Sequence, residues 1–189
     1  MRKRVVIIEG CDNVGKDSLI ELLKNDFNNP IIIHSSVPSS NDLFSFYYDG
    51  LIHNTLEAFY DHEHDAIIHN RSMYGEYVYG PKYRNLTKDE AKKLISKLEL
   101  GQLKTFMLDN ELFLILLTSD NTDLLLNNDD GKSLSNKKSD IDDELKAFDE
   151  IFNASKIKNK KRVYVNNGAQ FKNKNDIHSE VINFINGAK

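Results

Sequence analysis

Val5-Val6-Ile7-Ile8-Glu9-Gly10-Cys11-Asp12-Asn13-Val14-Gly15-Lys16-Asp17-Ser18-Leu19-Ile20-Glu21-Leu22-Leu23 is the stretch on which the fold turns. Four branched apolar residues in a row suit a strand buried on both faces, and the amphipathic run from Lys16 suits a helix. The chain must therefore turn sharply between Gly10 and Gly15. Such a turn aims backbone N–H groups and the positive end of a helix dipole at one point, where an anion can sit without a dedicated side chain. Gly10-x-x-x-x-Gly15-Lys16 has P-loop spacing, with Lys16 placed to reach the outer phosphates of a nucleoside triphosphate.

The residue after the lysine of that motif is normally a Ser or Thr that ligates Mg²⁺. Here it is Asp17, and the hydroxyl follows as Ser18. Asp17 is itself a hard oxygen ligand, so Asp17 and Ser18 are the candidate metal-binding pair. Gly10, Asn13, Val14, Gly15, Lys16, Asp17 and Ser18 form the candidate set for the triphosphate.

At 189 residues, with 40% hydrophobic and 29% charged residues, the sequence is that of one soluble globular domain with a substantial core. No signal peptide and no apolar run long enough to span a membrane is read in it, which predicts a cytoplasmic setting. The single cysteine, Cys11, excludes an internal disulfide and fits a reducing compartment; its expected role is a small loop filler. A net charge of −4 offers no general attraction to nucleic acid or anionic membrane. Phosphate binding must then be local, and the expected partner is a small molecule.

Outward from the loop, Pro30 to His34 reads as a second strand and Asn41 or Asp42 as a cap. A helix is expected from about Asp42 to Tyr60. It carries more aromatic surface than one stripe needs, so rings such as Phe46 and Tyr47 either pack the core or flank a planar ligand. His62-Glu63-His64-Asp65 reads as a helix-end loop rather than a metal site. Asp65 to His69 is a third strand ending in Asn70-Arg71-Ser72. That position lies on the edge of a parallel sheet where ligands bind, so Arg71 is expected to face the same crevice as the glycine loop.

Met73 to Arg84 holds Tyr74, Glu76, Tyr77, Tyr79, Tyr83 and Arg84 among two glycines and a proline, a composition odd for a core and suited to a binding wall. Thr87 caps a helix from about Lys88 to Gly101, and Leu112 to Leu117 is a buried strand. Asn127 to Ser139 has almost no apolar content and reads as a lid. A helix over about 140–156, a fifth strand at Arg162 to Val165 and a closing helix complete an α/β, three-layer P-loop fold: a five-stranded parallel sheet flanked by helices, with a mobile lid.

The glycine loop, Asn70-Arg71-Ser72, the segment Gly75 to Arg84 and Asp129-Asp130-Gly131-Lys132-Ser133 together resemble the thymidylate kinase-like nucleoside monophosphate kinases, most closely those of bacteriophages that act on deoxynucleotides. The resemblance implies transfer of the γ-phosphoryl of ATP, with Mg²⁺, to the 5′-phosphate of a deoxynucleotide such as dTMP, and it suggests a homodimer. It implies that Asp12 lies near the acceptor, that Arg71 grips the acceptor phosphate and the moving group, that Tyr79 packs on the deoxyribose, and that Glu76 faces the base. Glu9, Phe46, Tyr47, Tyr74 and Arg84 complete the expected substrate wall. Lys16, Arg71, Asp12 and Lys132 are the expected catalytic set. Asn70 stands where that family has an aspartate, and the lid offers lysines where relatives often have arginine. The competing readings are a deoxynucleoside kinase, for which Glu9 is the cradle-adjacent base, and a nucleotide-binding module without catalysis.

Overall fold

The computed structural model describes residues 3–35, 38, 42–61, 63–101, 103–104, 111–129, 131 and 133–187. Five strands, β1 (Arg4–Glu9), β2 (Ile31–His34), β3 (Ala66–Asn70), β4 (Leu112–Thr118) and β5 (Asn159–Tyr164), form one parallel sheet in the order β2-β3-β1-β4-β5. Parallel strands need covered faces, and the central ones have them: every residue of β3 and β4 is buried, and all of β1 after Arg4. Strand β4, Leu-Phe-Leu-Ile-Leu-Leu-Thr, is buried on both faces, and removing that apolar surface from water stabilises the sheet.

The helices among the described residues are α1 (Lys16–Leu23), α2 (Leu43–Tyr47), α3 (Asn54–Tyr60), α4 (Gly75–Tyr83), α5 (Lys88–Gly101), α6 (Thr122–Asn127), α7 (Lys138–Ala154) and α8 (Lys174–Gly187). Helices α1 and α8 pack together, and α4 packs on both α5 and α7. A small antiparallel pair, β6 (Asn166–Asn167) and β7 (Gln170–Phe171), follows β5.

The expected continuous helix over 42–60 is broken into α2 and α3 by a π-helical turn at Tyr48–His53. Gly50 lies inside that turn, and glycine tolerates the wider winding. Asp42 supplies the expected cap, its carboxylate accepting from the Ser45 amide at 3.1 Å, while Asn41 lies outside the described residues. Thr87 and Glu90 form a reciprocal capping box ahead of α5. Segment 73–84 is mostly helix, with Tyr74 and Val78 turned into the core. His64 reaches the Asn29 carbonyl at 2.7 Å within the expected loop, and His62 lies outside the described residues.

The sheet order puts β1 between β3 and β4, with the chain leaving it toward opposite edges. The register pairs Ile8 with Asn70. Arg71 thus starts level with Glu9, at the carboxyl ends of the strands, where such sheets open a crevice.

Candidate functional site

The turn after β1 is a glycine-dependent cradle. Gly10 has φ +145°, and a Cβ there would meet the Leu117 carbonyl oxygen at 2.4 Å and Val14 Cγ2 at 2.9 Å. Asn13 at φ 64° and Gly15 at φ 82° also occupy the left-handed region, which turns the chain into α1. Cys11 and Val14 are buried beneath the loop. Burial pushes the Cys11 thiol up to about 12, consistent with a filler and not a reactive group.

Lys16 is 7% exposed and folds back over the loop, donating to the carbonyls of Gly10 at 2.9 Å and Cys11 at 2.6 Å. Burial, followed by repulsion from Arg71, lowers its pKa to about 8. Charge is therefore costly there until an anion arrives, which is the condition of a primed phosphate ligand.

Arg71 carries φ 68°, a rare conformation for a side chain of this size. Its N–H donates to the Ile8 carbonyl at 3.0 Å, and its own carbonyl accepts from Ser35 Oγ at 3.0 Å. The twisted backbone aims the guanidinium at the cradle, where it pairs with Asp12. Burial alone would lower the Arg71 pKa, but Asp12, Tyr79 and Glu9 together outweigh it and raise the pKa above the ordinary value.

Two cavities meet at this pair. The first, about 400 Å³, lies over the loop and is lined by Asn13, Gly15, Lys16, Asp17, Ser18 and Asn70. The second, about 260 Å³, lies beside α4 and is lined by Glu9, Tyr47, Ser72, Glu76, Tyr79 and Arg84, among others. Asp12 and Arg71 line both. Volumes of this order, a few hundred Å³, suit small ligands.

The wall of the second cavity is a buried polar network. Arg84 grips Glu76 with Nε and one terminal nitrogen at 2.8 and 2.9 Å, and the Tyr47 hydroxyl donates to the same carboxylate at 2.6 Å. Glu76 is 1% exposed, so this fork satisfies a charge that water cannot reach. Burial and the Glu76 charge push the Tyr47 phenol above its usual range. Tyr79 stands in front of Glu144, to which its hydroxyl donates at 3.3 Å. Glu9 is buried and accepts from Ser72 Oγ at 2.6 Å, while its Oε2 has no partner among the described residues. Burial raises its pKa to about 7.

The structure brings together Glu9, Asp12, Arg71, Tyr47, Glu76, Tyr79 and Arg84 around one cavity. Tyr74 departs from the expected wall: it is 1% exposed, with its hydroxyl donating to Glu99 at 2.5 Å, and it does not line the cavity. Tyr74 precedes the first turn of α4 and its ring enters the core. Phe46 packs edge-on against Tyr47 and is not among the residues that line the cavity. Lys132 lies outside the described residues. Two residues that follow it lie over the loop: Asn13 Nδ2 donates to Ser133 Oγ at 2.8 Å, and the Leu134 amide donates to Asp12 at 3.1 Å. Ser35 and Ser72 also line the second cavity without having been singled out. The strand-end rule that marked Arg71 marks Ser35 equally, since it follows β2.

Asp17, Ser18 and Asn70 supply a carboxylate, a hydroxyl and an amide beside the loop, and the Asn70 Oδ1 is buried without a partner among the described residues. Hard oxygen donors of this kind fit Mg²⁺.

No protein-family model matches the chain, and no curated protein matches it in sequence. Solved structures do match in fold. The YorR protein of Bacillus subtilis, crystallised with phosphorylated GDP, shares 17% identity at a TM-score of 0.63, covering 96% of this chain and 95% of its own. Thymidylate kinase from Candida albicans shares 16% identity at a TM-score of 0.62, covering 98% and 92%. Deoxyadenosine kinase from M. mycoides, with bound dATP, shares 14% identity at a TM-score of 0.57, covering 96% and 99%. The architecture is that of the P-loop kinases, a five-stranded parallel sheet flanked by helices. Among the described residues no helix is long and apolar enough to cross a membrane.

Proposed function

We propose that this protein is an ATP-dependent deoxynucleoside monophosphate kinase. The observation that carries the reading is the shared wall: two adjoining cavities meet at Arg71 and Asp12. One is built on a glycine cradle with a buried lysine, and the other is walled by tyrosines and a fixed carboxylate–guanidinium fork. Phosphoryl transfer needs this layout, because donor and acceptor phosphates must lie end to end with cations between them.

In the reaction an oxygen of the acceptor 5′-phosphate forms a bond to the γ-phosphorus of ATP as the bond to the β,γ-bridging oxygen breaks, releasing ADP. The attacking phosphate is already ionised, so no side chain has to remove a proton. The cradle amides hold the β-phosphate, Lys16 leaves its two carbonyls for the β- and γ-phosphates, and Arg71 spans acceptor and transferred group. Tyr79 packs on the deoxyribose, while Glu76, fixed by Arg84 and Tyr47, faces the base. Asp17 and Ser18 would hold Mg²⁺, which when bound supplies charge neutralisation at the phosphates. The segment after α6 closes over them as a lid, with Lys132 as its cation.

The Oε2 of Glu9, without a partner among the described residues, favours a second reading. A group with a pKa near 7 inside the acceptor cavity is suited to take a proton from a 5′-hydroxyl, as a deoxynucleoside kinase requires. A coupled ADP-release assay over dTMP, dUMP, dGMP, dAMP and dCMP, their ribose counterparts and the parent nucleosides separates the two. Turnover of monophosphates supports the first reading, turnover confined to nucleosides supports the second, and no turnover of either class refutes both.

A further inference from the structure

Helix α7 carries a carboxylate on its buried side that the transfer step does not touch. Glu144 is 2% exposed and shares its face of the helix with Ile141, Ala147 and Phe148. Three donors from outside α7 converge on it: the Tyr79 hydroxyl reaches Oε2 at 3.3 Å, Lys82 Nζ reaches Oε1 at 3.3 Å, and the Ser135 hydroxyl also donates to Oε1. Tyr79 and Lys82 belong to α4, which walls the second cavity. Ser135 belongs to a strap, residues 133–135, that crosses the junction of the two cavities. Ser133 lines the cavity over the loop, and Leu134 lines the one beside α4.

The strap has other ties, from the Leu134 amide to Asp12 and from the Tyr83 hydroxyl to the Leu134 carbonyl at 3.3 Å. Leu134 and Tyr83 are half exposed, so water competes for these bonds, whereas Ser135 and Glu144 are both buried and theirs is sheltered. Stability alone does not account for a carboxylate at this position, since an apolar side chain of similar volume is often as stable or more so. Geometry does account for it, because strap, α4 and α7 are fixed to one another at this one group. We propose that Glu144 is a positioning residue for the acceptor: held by Tyr79 on one side and Ser135 on the other, it sets how far Leu134 stands from the α4 wall. Its effect falls on the acceptor and not on ATP, because the cavity over the loop is built on its own backbone, and the bond from Asn13 to Ser133 does not involve Glu144. The inference rests on reading the cavity beside α4 as the acceptor site.

The test is steady-state kinetics of the full chain, with KM measured separately for ATP and for the best-accepted substrate, and urea unfolding of each variant alongside. Ser135→Ala is expected to raise the acceptor KM about threefold to tenfold, and Glu144→Met, which fills the space without the charge, about tenfold or more, each with the KM for ATP within about twofold. Glu144→Gln keeps one acceptor oxygen and should fall between wild type and Glu144→Met. Both deletions break the same tie, so the double variant Ser135→Ala, Glu144→Met should be no worse than Glu144→Met alone. Acceptor and ATP KM rising in step, additive effects in the double variant, or an acceptor KM unmoved in Ser135→Ala, which loses a single hydroxyl, each overturns the proposal. Failure of the underlying reading looks different: the wild type itself turns over no monophosphate and no nucleoside, which removes both.

Discussion

The cavity over the glycine loop and the cavity beside α4 share a wall but are made in opposite ways. Most of the first comes from one continuous stretch, Asp12 to Ser18, on a backbone shaped by Gly10 and Gly15 whose N–H groups would carry the proposed anion binding. The second is assembled from residues far apart in sequence: Glu9, Ser35, Tyr47, Ser72 to Arg84 and Leu134. Its recognition surface is side chains, held by a buried fork between Glu76 and Arg84. A site made of backbone tolerates an altered side chain such as Asp17. A site made of buried polar side chains changes its ligand when one of them changes.

The shared wall is where that contrast breaks most severely. Arg71→Ala should lower turnover on the order of 10³-fold while leaving ADP affinity within a few-fold, because the loop cavity keeps its backbone donors. Coupled ADP release together with ADP titration checks both halves of this prediction.

Glu9 marks the acceptor side. Burial holds its carboxyl at about 7, against an ordinary 4.5. An acid whose folded pKa is raised folds most favourably while protonated. The contribution of this group to stability is therefore greatest below about pH 4.5 and falls by on the order of 3 kcal/mol as pH rises to about 7, with no further loss above. Urea unfolding of Glu9→Gln should lack that fall. Lys16 acts oppositely at higher pH: its folded pKa of about 8 means stability rises between about 8 and 10.5 as it neutralises in the folded chain first.

Gly10→Ala sharpens the backbone side. The added methyl meets a backbone carbonyl at a φ unsuited to it, so a loss of roughly 2 to 3 kcal/mol in urea unfolding is expected, together with weakened ADP binding. The smallest effect is on the side-chain half: Tyr47→Phe removes one of the bonds that fix Glu76 and should cost about 1 to 2 kcal/mol, read as a higher acceptor KM with unchanged KM for ATP.

The same division explains what could be read from the sequence. The cradle, the strand before it and the helix after it are local consequences of spacing, so β1, the loop and α1 were legible from residues 5–23 alone. Arg71 was legible because it ends a buried run, and strand ends define the ligand edge of a parallel sheet. The wall was legible in composition but not in direction. Tyr74 and Tyr79 look alike in sequence, yet Tyr74, which precedes α4, turns to Glu99, and Tyr79, within the helix, lines the cavity. The Asn70–Asp17 contact needs β3 to lie beside β1, a neighbour relation that no spacing within either segment encodes. The π-helical turn between α2 and α3 likewise has no periodic signal of its own.

The central claim is that two phosphate-bearing ligands lie end to end across Arg71. Titration calorimetry with a bisubstrate compound tests it most directly: adenosine and a deoxynucleoside joined 5′ to 5′ through an oligophosphate, with Mg²⁺, for each of the five deoxynucleosides in turn. The two-cavity account predicts one-to-one binding by the best of them at least ~100-fold tighter than ADP or the matching monophosphate alone. Affinity no better than that of ADP for every member of the series would contradict it.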